Sequence, residues 1–120
     1  MSARILIVED SSLVTDAFRI LFTETGYDVD VAATVAEAIE RGTSNTADIM
    51  LLDLSLPDGN GLEVLEALRA RGVPPRATLA MTGHDDATTR RTCLDAGCAE
   101  VLLKPLPIGD LLRHIQRHLA

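Results

Sequence analysis

Five polar side chains stand where apolar runs of this chain stop: Glu9 and Asp10 after Arg4–Val8, Asp53 after Ile49–Leu52, Thr82 after Ala77–Met81, and Lys104 after Glu100–Leu103. Carboxylates gathered in one place repel one another, and a hard divalent cation is the natural way to relieve that repulsion. Mg²⁺ suits such a set, because it accepts a few carboxylates and keeps water and phosphate oxygens as its other ligands. Lys104 supplies a point positive charge, and Thr82 a hydroxyl able to turn toward an arriving anion. These are parts for phosphoryl transfer, which is catalysed mainly by positioning and charge neutralisation.

Whether the five residues meet depends on the elements that carry them. The run from Asp48 to Asp53 has four consecutive apolar residues and is followed by Leu-Ser-Leu-Pro-Asp-Gly-Asn-Gly. It reads as a strand buried on both faces, of the kind found in the middle of a parallel sheet. Arg4–Val8 is a first strand, Asp28–Ala32 alternates like a half-buried edge strand, and Ala77–Met81 and Glu100–Leu103 are the fourth and fifth. Helical patterns fill the intervals. The first starts at Ser11 or Ser12, puts Leu13, Val14, Ala17, Phe18, Leu21 and Phe22 on one apolar face, and ends at Gly26. A capping box of Thr34 and Glu37 opens the second, which Gly42 and the polar run to Thr46 close. Asn60 and Glu63 resemble a capping box for the third, carrying Leu62, Leu65 and Leu68 and stopped by Gly72, Pro74 and Pro75. Asp85 and Asp86 cap a fourth, Ala87–Ala96, whose three threonines and few large apolar residues make it the weakest. The last, Gly109–Leu119, buries Leu111, Leu112, Ile115 and Leu119, with Ile108 just ahead on the same stripe.

Alternating strands and helices predict an α/β fold, a doubly wound parallel sheet with helices on both faces. In the strand order 2-1-3-4-5 the winding reverses between strands one and three, so Asp10 and Asp53 flank the switch-point crevice where open sheets bind ligands. At 120 residues the chain is long enough to bury roughly two-thirds of its unfolded surface. A net charge of −7 and a pI near 4.8 argue against a nucleic-acid surface. No stretch approaches a signal h-region or a membrane span, so a soluble cytoplasmic protein is expected. Cys93 and Cys98 match no common zinc spacing and read as two quiet thiols.

Over its whole length the chain resembles a response-regulator receiver domain of two-component signalling, of the chemotaxis-regulator-like kind. The resemblance rests on Val-Glu-Asp-Ser at 8 to 11, Leu-Leu-Asp at 51 to 53, Leu-Pro-Asp-Gly at 56 to 59, Met-Thr-Gly at 81 to 83 and Leu-Lys-Pro at 103 to 105. It implies a flavodoxin-like fold of five strands and five helices, residues 1–120 forming one receiver domain. It further implies that Asp53 is the phosphoacceptor, taking its phosphoryl group from a sensor histidine kinase or a histidine phosphotransfer protein. Asp10, Asp53 and the Ser55 backbone carbonyl would ligate Mg²⁺, with Glu9 reaching it through water. Lys104 would pair with a phosphoryl oxygen, Thr82 would move to bond another, and the Lys104–Pro105 peptide would be cis. Such a domain is not an enzyme beyond its own phosphoryl transfer and slow autodephosphorylation. A downstream effector, or a second copy in a homodimer, would meet the face of the fourth helix.

Several positions depart from the pattern or stand outside it. Receivers often carry Tyr or Phe three residues before the lysine, where this chain has Val101; its one tyrosine, Tyr27, precedes the second strand. His84 follows Thr82 by two positions, as Ser55 follows Asp53, and both are expected to flank the path of an attacking water. His114 and His118 lie one helical turn apart, a spacing that can bind metal, but with no third ligand nearby an exposed helix face is the simpler reading. Taken singly, the site residues have plain readings too: Asp53 as a turn residue, Glu9 and Asp10 as favourable charges at a helix amino terminus, Thr82 as a cap, Lys104 as a solvated lysine. A haloacid-dehalogenase-like phosphatase needs an acid/base Asp where Ser55 stands, and a flavodoxin-like electron carrier would not place carboxylates against its flavin phosphate. A degenerate receiver serving only as an interaction module is the remaining alternative.

Overall fold

A computed structural model describes residues 2–84 and 86–120. Its main sheet has five parallel strands, β1 (Arg4–Val8), β2 (Asp28–Ala32), β3 (Ile49–Asp53), β4 (Ala77–Thr82) and β5 (Glu100–Leu103), in the order β2-β1-β3-β4-β5. The helices are α1 (Ser12–Glu24), α2 (Val35–Ser44), α3 (Leu62–Ala70), α4 (Ala87–Ala96) and α5 (Ile108–Leu119). The doubly wound parallel sheet expected from the alternation, and the flavodoxin-like architecture that the resemblance implies, are therefore the ones observed.

The strand residues sort into two cores because successive side chains point to opposite faces of a sheet. Ile5, Ile7, Ile49, Leu51, Leu79 and Leu102 pack with Phe18 and Phe22 of α1 and Leu111 and Ile115 of α5. Leu6, Val8, Met50, Leu52, Ala80 and Val101 pack against α2, α3 and Cys93 of α4 on the other face. Every residue of β3 is buried. With about 1.5–3 kcal/mol gained for each fully buried Leu or Ile side chain, an unbroken apolar run is stable only at the centre of such a sandwich.

Several local expectations are corrected by packing. Leu13 is 83 % exposed instead of joining the buried stripe of α1, which narrows to Phe18 and Phe22 with Val14 and Leu21 half-buried. Ile108 is the first residue of α5 and is also exposed. Both line an open apolar groove of about 540 Å³ with Phe18, Met81, Lys104 and Leu106. Gly42 does not end α2, which runs to Ser44. A Cβ there would lie 2.8 Å from a methyl of Leu68, so this glycine sets the close approach of α2 to α3.

The helix entrances are capped largely as expected, with long-range additions. Thr34 Oγ1 accepts from Glu37 N–H at 3.1 Å, but Glu37 returns its bond to Ala33, and Asp58 from the loop after β3 accepts from Val35 and Ala36 N–H at 2.7 and 3.1 Å. The Asn60–Glu63 box is half made: Glu63 accepts from Asn60 N–H, while Asn60 Oδ1 accepts from Leu62 rather than Glu63. Asp86 caps α4 through Thr89 N–H at 2.7 Å, and Asp85 lies outside the described residues. α4 buries only Cys93, in keeping with its weak composition. The two cysteines are buried, and that burial raises both thiols, Cys98 to about 12, so they stay protonated.

The turn cluster after β3 is itself a short antiparallel hairpin, Ser55–Leu56 paired with Gly59–Asn60. It folds back so tightly that a Cβ on Gly61 would fall 2.1 Å from the Asp53 carbonyl oxygen. Replacing Gly61 by alanine should lower stability by about 1–3 kcal/mol, the usual cost of overpacking, whereas Gly109→Ala, which meets nothing within 4 Å, should not. Urea denaturation of the two variants measures the contrast; equal midpoints would count against the close-approach role of Gly61.

Candidate functional site

Parallel pairing in register brings the carboxyl ends of the strands level: Val8 opposite Leu52, Asp53 opposite Met81, Thr82 opposite Leu103. Glu9 and Asp10 leave β1 beside Asp53, and Lys104 leaves β5 one residue past its end. One carboxylate oxygen from each of Glu9, Asp10 and Asp53 lies within 4.8 Å of the other two. Glu9 and Asp53 are 4 % and 5 % exposed, while Asp10 is exposed at the mouth. Lys104 crosses from the far strand to put Nζ 3.2 Å from Asp53 Oδ2 and 3.4 Å from both oxygens of Glu9. The Ser55 amide donates to Asp53 Oδ1 at 3.1 Å. The Lys104–Pro105 peptide is cis.

Thr82 sits on the same edge and is buried, but its hydroxyl is engaged locally. Oγ1 accepts from His84 N–H at 3.0 Å and donates to the His84 carbonyl at 3.3 Å. Its hydroxyl is bonded to His84 and not to Asp53, so this side chain is committed to the loop entering α4. His84 itself is exposed. Val101 is buried in the same core as Cys93 and Cys98.

Charge in the site is divided unequally between two neighbouring acids. Burial pushes the Glu9 carboxyl up to about 7, and a hydrogen bond with the adjacent Asp53 carboxylate and its negative charge push the same way, against Lys104. Burial also works against ionised Asp53. Its hydrogen bonds with Glu9, the Ser55 amide and Lys104 nonetheless hold its carboxyl below the usual range. Lys104 resists its own burial because Asp53 and Glu9 keep it charged. The pair therefore keeps a proton on Glu9 and the negative charge on Asp53.

All-oxygen donors converging from Glu9, Asp10 and Asp53, with one of them facing solvent, fit a hard cation such as Mg²⁺, which retains several waters. The arrangement offers an ionised, amide-braced carboxylate, a lysine placed to neutralise an anion beside it, and three carboxylates that would hold a hard cation. Two contributors escaped sequence reasoning. Gly61, whose signal was only its place in a Gly-rich turn, allows the hairpin to close on Asp53. Asp58 anchors that hairpin to α2, with its carboxyl held below the usual range by the Val35 amide. His114 and His118 lie away from this edge, against Glu100 at the start of β5.

The metal-free site has a pH signature. The folded chain holds a proton on Glu9 up to about pH 7, whereas an unfolded one releases it near 4.5. Folded protein thus binds more protons through that window, and its stability falls as pH rises through it. Denaturation in a chelator from pH 5 to 8 should show this decline, and Glu9→Gln should flatten it. A wild-type curve that rises over the same interval would exclude a buried, protonated Glu9.

Comparison with known proteins agrees with the geometry. The family profile of the response regulator receiver domain matches residues 5–116. Response regulator MprA of Mycobacterium ulcerans is 35 % identical over 116 residues, covering 97 % of this chain and 50 % of that protein. Response regulator ArlR of Staphylococcus saprophyticus is 34 % identical over 113 residues, covering 94 % and 50 %. The chain thus spans about half the length of these curated relatives. Among solved structures, a CheY-like response regulator receiver domain protein from Methanospirillum hungatei superposes with a TM-score of 0.90 at 30 % identity, covering 99 % of this chain and 94 % of that one. With its fold, its strand-end site and these relatives in agreement, the chain belongs to the response regulator receiver domain family of two-component signalling.

Proposed function

We propose that residues 1–120 act as one receiver domain in which Asp53 accepts a phosphoryl group, with Mg²⁺ bound, from a phosphohistidine of a sensor histidine kinase or histidine phosphotransfer protein. The observation that carries this reading is the state of Asp53: nearly buried, yet held ionised by the Ser55 amide and Lys104 beside two further carboxylates. In this role Asp10, Asp53 and the Ser55 carbonyl hold the cation, Glu9 reaches it through water, and Lys104 neutralises a phosphoryl oxygen. The metal, when bound, offsets charge between the carboxylates and the incoming group. The domain would work in the cytoplasm; among the described residues no helix is long and apolar enough to cross a membrane. Treating wild type, Asp53→Ala and Asp10→Ala with acetyl phosphate, with and without Mg²⁺, should add one phosphoryl mass only where Asp53 and the cation are both present. Equal labelling of Asp53→Ala defeats the assignment, and failure of wild type to label favours a degenerate receiver.

Output is proposed to pass through Thr82 and α4 toward an effector or a second copy. Support comes from the Thr82 hydroxyl, bound to both backbone groups of His84, and from a following helix that buries a single side chain. Elements with little buried surface open and shift at low cost. On phosphorylation Thr82 turns toward the phosphoryl group and draws this loop with it. Because Val101 occupies the place where an aromatic reporter would sit, the change is expressed as movement of α4 against β5 and α5. Hydrogen exchange with beryllofluoride, a phosphoryl mimic, should change most in α4 and leave α2 as it was, and Thr82→Ala should lose the response. The largest change in α2 would refute this route.

A further inference from the structure

Among the described residues, the buried contacts of α4 gather at its carboxyl end. Its one buried side chain, Cys93, opens the last turn and shares a core with Leu65 and Leu68 of α3 and with Cys98. Just beyond that turn the Ala99 amide donates to the Thr78 carbonyl of β4 at 2.8 Å. From residue 87 to residue 92 every residue is exposed except Thr89, which is half-buried. The amino end is capped from its own loop, by Asp86 through the Thr89 amide.

The carbonyls at that end find their donors in two ways. The Gly97 amide donates to the Leu94 carbonyl at 3.1 Å and the Cys98 amide to the Cys93 carbonyl at 3.0 Å, satisfying two of the groups that a helix end leaves without partners. The Ala96 carbonyl takes its bond from another helix, from Arg69 Nη1 of α3 at 3.2 Å. The last turn of α4 holds no basic residue of its own, so the partial negative charge there is met by this guanidinium. Gly97 makes the approach possible: its φ is +108°, and a Cβ there would collide with the guanidinium. α3 is fixed in turn at its other end, where buried Leu62 follows the Gly61 that closes on Asp53.

We propose that Arg69 is the pin of a hinge, holding the carboxyl end of α4 against α3 so that the helix opens from its amino end. The proposal deepens the output route through Thr82 and α4 given above, and rests on it for where the pull is applied. That pull enters at Thr82 and His84, next to the exposed end of the helix, and meets a fixed point at Gly97. Switching is then a swing of residues 87 to 92 about an unmoved last turn, which leaves the start of β5, and through that strand Lys104, in register. An effector or second copy reads the amino half of α4 rather than the whole helix. Arg69 is a positioning residue in this scheme, since its guanidinium bonds to Ala96 and acts through α4.

Amide hydrogen exchange read residue by residue by NMR tests the hinge, first in the resting protein and then with beryllofluoride and Mg²⁺. At rest, the amides of residues 93 to 98 should exchange more slowly than those of 90 to 92. Arg69→Gln keeps a good helix former in α3 and should speed exchange of 93 to 98 roughly two- to tenfold, the factor that one lost hydrogen bond supplies. Arg69→Lys, which keeps a charged donor, should restore protection, and acetyl phosphate should label Asp53 equally in all three proteins. With beryllofluoride the wild-type change should be confined to the loop after Thr82 and residues 87 to 92, and in Arg69→Gln it should spread to 98. Equal protection along α4 at rest, no effect of Arg69→Gln on 93 to 98, or a wild-type beryllofluoride response as large in 93 to 98 as in 87 to 92 would each overturn the proposal. A resting gradient and an Arg69→Gln effect in a chain whose α4 ignores beryllofluoride would sustain the pin and refute the output route.

Discussion

Removing an ionised carboxylate from water costs several kcal/mol unless its oxygens find charged or donor partners, and Asp53 sits at 5 % exposure with its charge intact. Much of the surrounding architecture meets that requirement. One oxygen takes the Ser55 amide, supplied by the hairpin that Gly61 lets fold back, and the other takes Lys104 from the far strand. Glu9 relieves the remaining repulsion by keeping a proton. Among the described residues no buried side-chain nitrogen or oxygen lacks a hydrogen-bond partner.

This local balance fixes what the scaffold must look like. Asp53 can be buried only if its strand is central, and β3 is covered by α1 and α5 on one side and by α2 and α3 on the other. Lys104 can reach it only if β5 ends level with β4 and β3, which parallel register ensures. The loop carrying Ser55 is pinned at both ends, by Gly61 N–H to the Leu54 carbonyl and by Asp58 at the amino terminus of α2. Rigidity is thereby concentrated around the proposed phosphoacceptor and its metal ligands, where sub-ångström placement governs phosphoryl chemistry.

The opposite quality is concentrated beyond β4. The Thr82 hydroxyl is bonded to both backbone groups of His84, and α4 beyond it contributes a single buried side chain, Cys93, to the core. Hydrogen bonds from His114, Arg117 and His118 to Glu100 fasten the neighbouring β5 and α5 together.

By itself, the sequence determined which residues stand at the strand ends and which elements carry them. Strand and helix periods, run lengths and turn residues are local properties, so Ile49–Leu52 announced a central strand and Ala87–Ala96 a weak helix. Only the tertiary structure decided matters that depend on what arrives from elsewhere in the chain. Gly42 looks like a helix stop until Leu68 packs on it, and Leu13 belongs to the apolar stripe until packing leaves it exposed on the lining of an open groove. Asp58 caps a helix 23 residues earlier. Which of two adjacent acids keeps the proton follows from burial and from Lys104, 95 residues away from Glu9. His114 and His118 read as a solvent-facing pair because their third partner lies on a strand 14 and 18 residues back, and only the packing of α5 across β5 brings Glu100 to them.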